Sequence, residues 1–79
     1  MDYYEFFNLP ELKNKKEISS NDLFFIMEQN NYATNNADSY FLLKLMIGGG
    51  FLIKIKKSVK YKIIWEKIEK QKGLDGLDR

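Results

Sequence analysis

The sequence predicts an α+β fold: three helices, then a C-terminal β-hairpin, then a short closing helix. Three observations lead there. Helix-start residues at Asp2, Ser19 and Thr34 open three stretches with apolar residues at helical spacing. Gly48-Gly49-Gly50 stops the third stretch. Period-two alternation then runs over residues 51–65, the pattern of a half-buried antiparallel hairpin. The 79 residues suit one small domain, expected over 1–72, with 73–79 as a flexible tail.

In order along the chain, Asp2 is the expected N-cap of a short helix with Tyr3, Phe6 and Phe7 on one face. Pro10 disfavours a helical Leu9, so this helix is short or restarts at Pro10 as its first residue, where Leu12 adds an apolar contact. Residues 13–17 form a charged connector that ends in a short strand at Glu17-Ile18-Ser19. Ser19 with Asp22 is a weakened capping box, because Asp reaches back less well than Glu. It opens a helix with Leu23, Phe24, Ile26 and Met27 inward, ending near Asn30. After a turn over residues 30–33, Thr34 caps the third helix, 35 to about 47. Its first half is polar and its second half is apolar nearly all round. Beyond the hairpin the last strand ends near Trp65. Ile68 and a Glu66–Lys70 pair at i,i+4 mark a short closing helix.

Within the hairpin, a three-residue loop, or a longer one of the same parity, is expected; the three-residue loop pairs Ile55 with Val59, Lys54 with Lys60 and Ile53 with Tyr61. Only that parity keeps Phe51, Ile53, Ile55, Val59, Tyr61, Ile63 and Trp65 on one face and the lysines on the other. Lys54 then faces Lys60 directly, at a cost of about 0.2–1 kcal/mol relative to a neutral pair. A bound run of phosphates would relieve it.

Formal net charge is +2, unevenly distributed. Residues 1–50 carry four lysines against seven acids, whereas 51–72 carry eight lysines against Glu66 and Glu69. A basic patch on an acidic body suits a polyanion. The same lysines also suit an exposed edge that resists strand-to-strand aggregation. With no cysteine and no histidine, disulfides, thiolate zinc sites, thiol nucleophiles and imidazole bases are excluded. The glycine run follows a helix and precedes no Gly-Lys-Ser/Thr, so it is not a phosphate loop. Asp75 and Asp78 offer too few oxygens for a calcium loop, and no serine has a base partner. No catalytic residue, metal or cofactor is expected. No basic signal-peptide start and no bilayer-length apolar run is present, so a cytoplasmic protein without a membrane partner is expected.

Helix, short strand, helix, turn, helix, glycine and basic hairpin, in that order, resemble the winged helix-turn-helix family over about residues 3–67. The residues that carry the resemblance are Ile18-Ser19 followed by Ser20-Asn21-Asp22-Leu23, Thr34 at a helix start, and Leu43-x-x-Met46-x-x-x-Gly50-Phe51-Leu52. Lys60-Tyr61-Lys62-Ile63 looks like the returning strand of the wing.

The resemblance implies binding of double-stranded DNA, with the third helix in the major groove and the wing on the backbone or in the minor groove. Transferred to this chain, Thr34, Asn35, Asn36, Ser39, Tyr40 and Lys44 would face DNA from the helix. Lys54, Lys56, Lys57, Lys60 and Lys62 would do so from the wing. Asp38 stands among the helix residues and would repel phosphate, so the wing is expected to supply most of the hold. The expected function is a small DNA-binding protein, a transcriptional regulator or a plasmid or phage DNA-processing accessory factor. The alternative is a winged-helix protein–protein module, such as a phage-encoded inhibitor or an assembly adaptor. It would act as a homodimer or on another protein through Leu42 and Leu45, which packing of the third helix leaves over.

Overall fold

The computed structural model describes residues 1–72, so the tail expected at 73–79 lies outside the described residues. Those residues form α1 (Tyr3–Phe7), β1 (Glu17–Ser19), α2 (Ser20–Gln29), α3 (Asn36–Gly48), β2 (Leu52–Lys54), β3 (Lys60–Ile63) and α4 (Trp65–Glu69). The class is α+β as expected, with the three strands in one antiparallel sheet, order β1-β3-β2.

The helix boundaries follow from side chains that meet orphan backbone groups. Asp2 Oδ1 accepts from the Glu5 N–H at 3.0 Å and Ser19 Oγ from the Asp22 N–H at 3.2 Å. The end of α2 is closed by Asn31 at φ 63°, with Asn31 donating to the Glu28 carbonyl and Tyr32 to that of Met27. The end of α3 repeats this with glycine. Gly50 sits at φ 82°, its N–H donates to the Ile47 carbonyl at 3.0 Å, and the Phe51 N–H donates to that of Met46 at 2.9 Å. A Cβ on Gly50 would meet only the movable end of the Lys67 side chain, so it is the left-handed backbone that calls for glycine.

The core gathers Phe6, Phe7, Leu12, Leu23, Met27, Met46, Leu52 and Ile68, all fully buried. α1 ties the ends of the chain together. Tyr3 stacks on Phe51 with ring centroids 4.4 Å apart, and Phe7 meets Trp65 edge-on at 6.3 Å. β3 is the central strand, with Tyr61 opposite Ile18 of β1 and Ile63 opposite Leu52 of β2.

The hairpin register differs by one from the expected one. Ile53 stands opposite Lys62 and Lys54 opposite Tyr61. The Ile55 N–H donates to the Lys60 carbonyl at 3.0 Å, so the loop is residues 56–59, with Lys57 in the left-handed region at φ 62°. The phase of β2 is therefore reversed. Leu52, expected among the lysines, is 1% exposed, while Ile53 is 55% and Val59 69% exposed. Lys54 does not oppose Lys60, and the like-charge clash expected there does not exist.

The cause is the turn at Gly50. It delivers Phe51 and Leu52 into the core one after the other, Phe51 beneath Tyr3 and Leu52 beside Ile63. The alternation Leu-Ile-Lys-Ile-Lys offers an apolar residue in either phase at its start, so packing decides between them.

Two substitutions separate the registers by urea unfolding. Leu52→Ala should lower stability by about 2–5 kcal/mol, as for a buried leucine. Ile53→Lys should change it by no more than about 0.5 kcal/mol, as at an exposed position. The opposite ranking would restore the expected register.

Candidate nucleic-acid interface

α3 presents three different faces. Ser39, Leu43 and Met46 are buried against the core, and Leu42 packs half-buried beside them. Asn36, Tyr40 and Lys44 follow one another at i,i+4 on an exposed face, with the Lys44 Nζ 5.0 Å from the Tyr40 ring centroid. Ala37, Phe41 and Leu45 form a second exposed line, diametrically opposite the core at Phe41, which is 62% exposed.

Several of the expected contact residues have other roles. Asn35, rather than Thr34, caps α3, its Oδ1 accepting from the Asp38 N–H at 2.9 Å. Asp38 reaches back, its Oδ2 accepting from the Thr34 hydroxyl at 2.6 Å and from the Thr34 N–H at 3.2 Å. The capping pair therefore starts one residue later than the sequence suggested, and the helix N-terminus already holds a carboxylate. Ser39 is fully buried and cannot face a ligand; its hydroxyl finds no hydrogen-bond partner among the described residues. Leu42 is not left over, since it joins the core, whereas Leu45 stays 42% exposed. Phe41 takes the outward place.

All five hairpin lysines are exposed, but not on one side. Lys60 and Lys62 lie on the outer face of β3 with Ile53 and Glu17, and Lys60 pairs with Glu17 at 3.4 Å. Both partners are about half exposed, so this pair contributes little to stability. Lys54 lies on the other face. Its ammonium folds back onto the Ser58 carbonyl and sits 5.9 Å from the Tyr61 ring centroid. Lys56 and Lys57 occupy the loop, and their side chains make no hydrogen bond or ion pair among the described residues. The geometry thus brings Lys56, Lys57, Lys60 and Lys62 to the tip and outer face of the hairpin and leaves Lys54 exposed on the opposite face, folded back onto the loop. The loss of the expected Lys54–Lys60 repulsion removes one reason to expect a bound polyanion; the exposure of the other four leaves the charge itself in place.

No group of three or more carboxylates among the described residues could hold a metal ion, and no described helix is long and apolar enough to cross a membrane. The chain matches no protein-family model, no curated protein and no solved structure.

Two predictions follow from the α3 geometry. Ser39→Ala removes a buried hydroxyl without a partner and adds a better helix former, so it should raise stability by about 1 kcal/mol in urea unfolding. Loss of stability there would show that the hydroxyl is satisfied. The bonds from Thr34 hold the Asp38 carboxyl below its ordinary value. Its contribution is therefore present above the unfolded pKa, about 3.9, and is lost as pH falls through the lower folded value. Stability measured from pH 5 downward should fall less steeply in Asp38→Asn than in the parent, and an identical slope would assign the acid sensitivity elsewhere.

Proposed function

We propose that this chain is a winged helix-turn-helix protein that binds double-stranded DNA, with α3 in the major groove and the β2–β3 hairpin as the wing. The single observation that carries this reading is the set of exposed lysines at the hairpin tip and outer face, Lys56, Lys57, Lys60 and Lys62, beside an α2–turn–α3 pair whose second helix is open to solvent. The lysines supply the salt-sensitive hold on phosphate. Asn36 is suited to an adenine edge, and Ala37 and Phe41 to thymine methyl groups. The wing is the main electrostatic contact, since Lys44 is the lone cation on α3. A regulator or a plasmid or phage DNA-processing factor of this kind would recognise A·T-containing sites through the helix and hold them through the wing.

A specific observation favours a second reading, a protein-association module on the same fold. Tyr40, Phe41, Leu45 and Ile47 leave large apolar surface on one short helix. On that reading Leu45 keeps its assigned place in a partner interface and Phe41 joins it.

Fluorescence anisotropy with a duplex over a salt series tests the first reading. With about three to four phosphate contacts, log K should fall against log salt with slope roughly −3. Lys56→Ala and Lys57→Gly should each reduce that slope by about 1, with Lys57→Gly placing glycine where the backbone already has positive φ. Phe41→Ala should weaken binding without changing the slope. Absence of salt-dependent binding, together with a dimer by light scattering that Phe41→Glu dissolves, would replace DNA binding with association.

A further inference from the structure

On the side of the molecule formed by α1, the 8–16 connector and α4 lies a hollow of about 480 Å³, within the range of small-ligand sites. Tyr4, Asn8, Lys13, Lys16, Trp65 and Glu69 line it. Trp65 and Lys16 also line a second hollow of about 390 Å³. The Trp65 ring is held in place: its Nε1 donates to the Lys15 carbonyl at 2.5 Å, and Phe7 meets it edge-on. Asn8 is fixed as well, its Nδ2 donating to the Tyr4 carbonyl at 2.8 Å.

The donor set is specific in kind. An aromatic wall offers stacking to a planar ring. Lys13 and Lys16, which are exposed and whose side chains make no hydrogen bond or ion pair among the described residues, offer two positive charges to an anion at the rim. Glu69 accepts from ring or exocyclic N–H groups, and the Asn8 amide can accept through Oδ1. A simple anion would not use the indole, and an apolar ligand would not use the lysines or the carboxylate. We infer that this hollow binds a nucleotide with an amino-bearing base, the base against Trp65 near Glu69 and the phosphate between Lys13 and Lys16. None of these residues belongs to the α3–hairpin surface proposed for duplex DNA, so the site stands or falls independently. The nucleotide is either free in solution or one residue of a single strand; the chemistry of recognition is the same.

Trp65 is the single tryptophan, so its emission reports this site directly. The full chain is titrated with AMP, with adenosine, with inorganic phosphate and with a short oligodeoxyadenylate. Saturable quenching by AMP or by the oligonucleotide is expected, at least tenfold weaker in the Lys13→Ala/Lys16→Ala double variant. Both lysines are exposed, so the variant should keep the parent's unfolding curve. Saturation at tenfold lower concentration by the oligonucleotide than by AMP assigns the site to a strand, and the reverse assigns it to a free nucleotide. Linear quenching without saturation would overturn the proposal. So would equal responses to phosphate and AMP, or to adenosine and AMP, or an affinity unchanged in the double variant.

Discussion

The left-handed turn at Gly50 is the constraint on which the second half of this molecule depends. Its φ of 82° closes α3 through the paired bonds from Gly50 and Phe51 to Ile47 and Met46, and in closing it aims the chain. Phe51 passes under Tyr3, and Leu52 enters the core beside Ile63. The phase of β2 is set at that point, before any residue of the hairpin loop is reached. An alanine there would meet an unfavourable left-handed backbone.

That phase also distributes the charge. With Leu52 inward, Lys54 shares its side of the sheet with Tyr61, and its ammonium turns back onto the loop carbonyls. Lys60 and Lys62 go to the opposite side, where Glu17 of β1 takes part of the Lys60 charge. The basic surface is consequently the tip and outer face of the hairpin rather than one continuous lysine ladder. A phosphate backbone would meet it from the end of the hairpin. Ile53 is exposed on the same face.

α3 shows how one helix can look apolar all round and still be sided. Its buried line is narrow, Ser39, Leu43 and Met46, because among the described residues α2 and β2 are the elements that press most on it. The remaining apolar residues, Phe41 above all, are left outside. Apolar residues on every side give a sequence reading no preferred face, and Ser39, expected to face DNA, is the residue that is buried. The one available signal was helical geometry, since Ser39, Leu43 and Met46 fall at i, i+4 and i+7.

The sequence by itself determined the local structure: the caps at Asp2 and Ser19, the short strand at Glu17–Ser19, the glycine stop after α3, the returning strand Lys60–Ile63 and the short helix that follows. The caps and the glycine stop rest on bonds to partners only a few residues away, so nearby residue types suffice to specify them; the strands were legible from residue type, although their pairing, Glu17 with Lys62, joins distant parts of the chain. Tertiary structure alone decided the phase of β2, the burial of Ser39, the folding back of Lys54 onto the loop and the joining of Tyr4, Lys16 and Trp65 around one hollow. Those outcomes depend on where distant elements press. Leu52 and Ile53 are nearly equal in apolar character, and the choice between them fell to Tyr3 and Ile63, brought to them from opposite ends of the chain.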